Sequence, residues 1–171
     1  MIGVPRRIVI GIGNLERGDD AAGRMVLRRL RRRLTADVEL IEHSGEAASL
    51  LASLEGASTA YLIDACNSGS PPGTLFRFEA ALCPWPRALR SCSTHGLGLA
   101  EALELAAALG TLPARCLVYA IEGARYALGD HLSAPVRAQI DSLVPQLVAE
   151  IEFDRACDMR STCVSSARKV P

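Results

Sequence analysis

Ile8-Val9-Ile10-Gly11-Ile12-Gly13-Asn14 is a β-branched run that breaks into a glycine loop, and its reading sets the fold. A short apolar run without polar alternation has the form of a strand covered on both faces, as in a parallel sheet flanked by helices. Asp19 and Asp20 come next, ahead of a stretch at 21–34 in which Met25, Val26, Leu30 and Leu34 recur at helical spacing. Arg24, Arg28, Arg29, Arg31, Arg32 and Arg33 form the polar side of that stretch and read as a solvated helix face. The two acids thus stand at a helix start, where the positive end of the helix dipole favours them.

Working outward, residues 38–42 read as a second strand, 46–54 as a short helix and 59–63 as a third strand ending at Asp64-Ala65. Asn67 to Gly73 carries Ser, Gly and Pro in a loop pattern, and 74–78 predicts a further strand. A Pro-containing connection spans 83–93, and His95 opens a helix that runs to 109. Residues 115–121 complete the strands, and 135–151 form an amphipathic helix with Val136, Ile140, Leu143, Val144, Leu147 and Ile151 on one side. Strands alternating with helices predict an α/β protein: a three-layer α/β/α sandwich around a mostly parallel twisted sheet of about five strands, with room for one antiparallel member. Residues 1–153 form one domain on this reading. Residues 154–171 have no apolar period and read as a disordered tail.

Composition narrows the classes of function. At 171 residues and 49% apolar content the chain can bury one core. Nineteen basic residues offset nineteen acidic ones, so no global field draws the protein to nucleic acid or an anionic membrane. Aromatics at 4% leave few platforms for stacking bases, which argues against a single-strand nucleic-acid binder. The apolar run at 8–12 is too short for a signal segment or a membrane span, and a cytoplasmic location is expected. The six cysteines lie at irregular intervals without a C-x-x-C pair, a pattern of free thiols. The sequence does not fix the oligomeric state and is compatible with a monomer.

In an open parallel sheet the ligand crevice lies beyond the carboxyl ends of the strands. Asp20, Asp64 and His95 each follow a strand, and two carboxylates with an imidazole suit a transition metal while leaving positions open for water or substrate. Each residue also has a structural explanation: a charge at a helix start, a strand-end turn residue, and a neighbour of an N-cap at Thr94. Two other chemistries compete. Gly11 and Gly13 after a strand resemble part of the dinucleotide fingerprint, with Glu42 where a ribose-binding acid is expected, although Glu16 at the third position would repel a pyrophosphate. Cys92 and His95 have the types for a thiol nucleophile and its base, and Cys66 lies near Asp64, but no local signature of a cysteine protease and no G-x-S-x-G elbow is present.

Gly11-Ile-Gly-Asn14 followed by Gly18-Asp19-Asp20-Ala-Ala-Gly23 resembles the opening signature of the hydrogenase maturation proteases. Tyr61-Leu-Ile-Asp64-Ala65 and Ser93-Thr94-His95-Gly96-Leu97-Gly98-Leu99 are similar to that family's third-strand motif and its His-containing loop. Ile121-Glu122-Gly123, Gly129 and Leu132-Ser133-Ala134-Pro135-Val136 resemble its closing strand and final helix entry, so the likeness covers about residues 6–152. The resemblance implies an endopeptidase that removes the C-terminal extension of a nickel-iron hydrogenase large-subunit precursor after nickel insertion. Asp20, Asp64 and His95 would be both the catalytic residues and the metal ligands, Asp20 standing where some members carry Glu. Asn14, Gly45 and Glu46 would line the cleft. The nickel would be borne by the substrate, other divalent transition metals could substitute for it, and a nickel-binding maturation chaperone would use the same residues without cutting.

Overall fold

The strand β1 (Arg7–Ile12) is buried along its whole length, as its unbroken apolar sequence predicts. The computed structural model describes residues 5–80 and 99–166, the last nine of these as backbone alone. Parallel strands flank β1 on both sides, β2 (Val38–His43) and β3 (Thr59–Cys66). Antiparallel β4 (Leu75–Glu79) forms the edge beside β5 (Arg115–Glu122), which pairs in parallel with β3. The sheet order is β2-β1-β3-β5-β4, the five-stranded mostly parallel sheet expected from the sequence.

Alternation along the strands feeds two cores. Ile8, Ile10, Ile12 and Leu62 pack with Leu50 and Leu54 of α2 (Ala47–Leu54) and Leu103 of α3 (Leu99–Ala108). On the other face Val9, Tyr61, Ile63 and Leu117 meet Val26 and Leu27 of α1 (Ala22–Leu30) and Ile140, Leu143 and Leu147 of α4 (Ala134–Ser166). Two glycines let α1 approach the sheet. A Cβ on Gly11 would lie 2.5 Å from the Gly23 carbonyl oxygen, and one on Gly23 would lie 2.1 Å from that of Ile63 and 2.4 Å from that of Ile12.

Two helix ends differ from the sequence reading. The first, α1, stops at Leu30 instead of continuing to 34, as its ladder gives way to the i−3 bonds of Arg32 to Arg29 and Arg33 to Leu30. The arginines nearer its start are tied down: Arg24 and Arg28 both bond Glu42, and Arg29 pairs with Asp141 of α4. The second is the end of α4, which the sequence places at 151 and which runs to Ser166. Polar contacts hold the first two residues past 153. The Tyr61 hydroxyl donates to Asp154, Arg115 Nε lies 3.0 Å from Asp154 Oδ2, and Arg155 Nε lies 2.7 Å from Asp37 Oδ2. One turn earlier, Glu150 accepts from Arg77 and Tyr119; burial pushes its carboxyl up, and these bonds together with the Arg77 and Arg115 charges hold it below the usual range.

Candidate functional site

From β1 the chain passes through α1 to β2, then returns through α2 across β1 to reach β3. The two helices cover opposite faces, so the strand order reverses between β1 and β3 and leaves a crevice at their carboxyl ends. Asp20 and Asp64 stand on its two sides. Pairing of β1 with β3 ends at Gly11↔Ile63, and Asp64 is the next residue of β3. Asp64 is 5% exposed, accepts the Ala65 N–H at Oδ1 (2.8 Å), and shares by alternation the sheet face of Leu62 and Cys66, which α3 covers. Asp20 lies in a 3-10 turn (Gly18–Ala21) after β1, is 1% exposed, and accepts the Asn14 N–H at Oδ2 (3.0 Å). The turn folds tightly back on the strand end: a Cβ on Gly13, whose φ is +133°, would fall 1.8 Å from the Asp20 carbonyl oxygen.

Of the adjacent acids, only Asp20 faces the strand end. Asp19 is wholly buried and its carboxylate accepts the N–H groups of Ala124 (2.8 Å) and Arg125 (3.1 Å) at Oδ2 and of Ser133 (2.7 Å) at Oδ1. It therefore ties the turn after β1 to the loop between β5 and α4. On the far side, Glu122 at the end of β5 is 1% exposed and bonds the turn that follows β3. Sequence reading passed over both residues. Glu122 was accessible to the rule that picked out Asp64, since it too ends a strand; Asp19 could not be told from Asp20 without its long-range partners.

His95 lies outside the described residues, as do Cys83, Cys92 and the connection at 83–93. Asn14, a cleft position by the resemblance, donates its N–H to Asp20 Oδ2. Glu46 acts as the N-cap of α2, accepting the Ala48 and Ser49 N–H groups, and hydrogen bonding from the Ser49 side chain, then from these N–H groups, lowers its carboxyl below the ordinary range. Beside it, His43 at the end of β2 accepts the Gly45 N–H at Nδ1 (2.9 Å), which leaves Nε2 to donate to Ser49 Oγ at 3.0 Å. Burial, opposed by the Glu46 charge, depresses the His43 pKa and favours this neutral tautomer. The Cys66 thiol is buried and 3.3 Å from Glu122 Oε2, the setting of a packed side chain and not of an activated nucleophile.

The dinucleotide reading fails on geometry. Main-chain atoms of Gly23 and Asp20 occupy the space beside Gly11 and Gly13 that a pyrophosphate would need, and the ribose-binding candidate Glu42 is engaged by Arg24 (2.7 Å) and Arg28 (3.2 Å). Among the described residues no group of three or more His, Cys, Asp or Glu side chains could hold a metal ion, so any metal held by Asp20 and Asp64 needs donors from elsewhere.

Comparison with known proteins agrees with this architecture. The chain is 28% identical over 152 residues to the hydrogenase expression/formation protein HupD of Thiocapsa roseopersicina, covering 87% of this chain and 67% of that protein. It is 30% identical over 108 residues to HoxM of Cupriavidus necator, covering 62% of this chain and 54% of that one. Among solved structures, the hydrogenase maturating endopeptidase HybD from E. coli superposes with a TM-score of 0.72 at 24% identity over 87% of this chain and 93% of its own. The maturation protease HycI from Thermococcus kodakarensis superposes with a TM-score of 0.64 at 24% identity, over 86% and 93%. These likenesses establish the fold. The family model described as hydrogenase maturation protease matches residues 25–150, a stretch that includes Asp64 and His95 and begins after Asp20. With most of the chain inside that match, the protein belongs to the hydrogenase maturation protease family.

Proposed function

We propose that this chain is an endopeptidase that removes the C-terminal extension of a nickel-iron hydrogenase large-subunit precursor once nickel has been inserted. Asp20, Asp64 and His95 recognise the nickel carried by the substrate. The observation that carries the reading is the presence of two buried carboxylates at the carboxyl ends of β1 and β3, on either side of the strand-order reversal between them, in a chain of this family. Carboxylate oxygens and an imidazole nitrogen suit a divalent transition metal, and an incomplete protein donor set makes tight binding depend on ligands that the substrate already provides. Cleavage is then licensed by the substrate's own metal. Cytoplasmic action fits this role, and no helix among the described residues is long and apolar enough to cross a membrane.

Hydrolysis needs water to attack the scissile carbonyl, a group to accept its proton, and stabilisation of the developing oxyanion. Substrate-held nickel beside the bond would polarise the carbonyl, and Asp20 or Asp64 would take the proton. The direct test is the mass of the large-subunit precursor incubated with this protein, with and without nickel, beside Asp20→Ala, Asp64→Ala and His95→Ala. Loss of the extension only with nickel and the intact site is expected. A complex that forms while the extension stays in place would overturn the protease reading in favour of a nickel-binding maturation chaperone.

A further inference from the structure

We infer that Glu122 is a positioning residue for Asp64, an inference that rests on reading Asp64 as part of the cleavage site. Ladder pairing of β3 with β1 ends at Ile63, and β3 continues beside β5 through Asp64↔Ala120, Ala65↔Ile121 and Cys66↔Glu122. The direction of Asp64 therefore depends on how the residues after it are held. Glu122, the register partner of Cys66, holds them.

Its carboxylate accepts the Ser68 N–H (2.9 and 3.0 Å to its two oxygens), the Gly69 N–H (2.9 Å), the Ser68 hydroxyl (2.7 Å) and the Cys66 thiol (3.3 Å). Consecutive main-chain N–H groups converging on one anion form a nest, and bonds to an ionised acceptor are stronger than neutral ones. The Cys66 carbonyl is held as well, by the Gly123 N–H at 2.9 Å and the Tyr126 hydroxyl at 2.5 Å. Cys66 is therefore gripped through side chain and main chain two positions from Asp64, on the same sheet face. A buried carboxylate is an expensive way to hold a turn, because its desolvation must be offset by every bond it makes. What it provides is a fixed strand end, and hence a fixed direction for the Asp64 carboxylate toward the crevice.

Glu122→Gln keeps the volume but removes the charge and one acceptor oxygen: with the amide oxygen kept for the Ser68 and Gly69 N–H groups, its NH2 faces the Ser68 hydroxyl and the Cys66 thiol. Partners that orient a metal-binding side chain are worth about 10–100-fold in affinity or rate. The single-turnover cleavage rate of nickel-loaded precursor should fall within that range with KM unchanged, and the nickel affinity of the isolated chain, read by calorimetry, should fall in the same proportion. Ser68→Ala removes one donor only and should show a smaller fall with the fold intact by circular dichroism, so the inference stays testable if Glu122→Gln does not fold. Wild-type rate and nickel affinity in folded Glu122→Gln, or in Ser68→Ala where Glu122→Gln cannot be obtained, would overturn it. Asp64→Ala run in parallel separates the two levels: normal cleavage there removes the site assignment itself, whereas a dead Asp64→Ala beside a normal Glu122→Gln removes only the role of Glu122.

Discussion

Gly23→Ala is the most demanding test of how α1 is seated, because the clash it creates is with main chain. The added Cβ would sit 2.1 Å from the Ile63 carbonyl oxygen, 2.4 Å from that of Ile12 and 2.8 Å from the Ile12 nitrogen. None of these atoms can rotate away, so the first turn of α1 must lift by about 1 Å to restore an ordinary contact of roughly 3.3 Å. Ala22, Val26, Leu27 and Leu30 are fully buried on the same helix and would lift with it. A gap of that size forfeits roughly a quarter to a half of each contact's dispersion energy. Applied to side chains worth about 1.5–3 kcal/mol each on burial, this costs about 2–4 kcal/mol. The helix-propensity gain of Ala over Gly returns only about 1 kcal/mol, so sterics win by roughly 1–3 kcal/mol. At about 2–4 °C per kcal/mol for a chain of this size, the thermal midpoint should fall by roughly 2–12 °C. Urea denaturation with an unchanged m-value measures the loss directly, with Gly56→Ala as control: no atom lies within 4 Å of that Cβ, and only its φ of +71° resists substitution. A Gly23→Ala protein as stable as wild type would refute the seating of α1 on Gly11 and Gly23.

The neighbouring acids should separate cleanly. Asp19→Ala strips the acceptor from three N–H groups, each worth about 1–3 kcal/mol when left buried, and should lower the unfolding midpoint strongly. Asp20→Asn keeps an acceptor for Asn14 and should leave the midpoint nearly unchanged while abolishing precursor cleavage; the reverse pattern would exchange their roles. For His43 the folded pKa lies below the unfolded one, so its contribution to stability is full above about pH 6.5 and declines as the unfolded chain takes up the proton below it. Urea midpoints measured from pH 8 to 5 should fall less steeply in His43→Gln, and an identical slope would count against the buried neutral tautomer. Asp154→Ala leaves the Tyr61 hydroxyl without its acceptor and should cost about 1–3 kcal/mol, partly recovered in the double variant with Tyr61→Phe. No loss by calorimetry would mean that the Tyr61 bond does not hold Asp154.

Much of the fold was legible because its signals are local. The unbroken run at Ile8 to Ile12 marked a strand covered on both faces, and the alternation of such runs with periodic Leu and Val stretches led to the three-layer sandwich. Placement of Asp20 and Asp64 followed from a positional rule about strand ends that needs no coordinates. What escaped depends on residues far apart in the chain. Asp19 and Asp20 are chemically identical neighbours, and only bonds across more than a hundred residues assign one to the scaffold. The continuation of α4 past 153 has no apolar period to announce it, and its first residues, Asp154 and Arg155, are held by Tyr61, Arg115 and Asp37. Gly11 and Gly13 carry two readings in sequence, a phosphate cradle or a close helix seat, and the choice depends on Gly23 and on the backbone of the Asp20 turn.

Every tie that Asp19 makes, and two of the donors to Glu122, come from the main chain. A backbone donor is indifferent to the side chain it carries, so the loops around the crevice can change composition without loosening it. In a saturation mutational scan, Ala124 and Arg125 should tolerate many polar replacements at the level of these bonds, with proline, which lacks the N–H, as the shared exclusion. The two acids should tolerate almost none. Such a frame lets the rim of the crevice drift to suit different substrate surfaces while the geometry beneath it stays fixed.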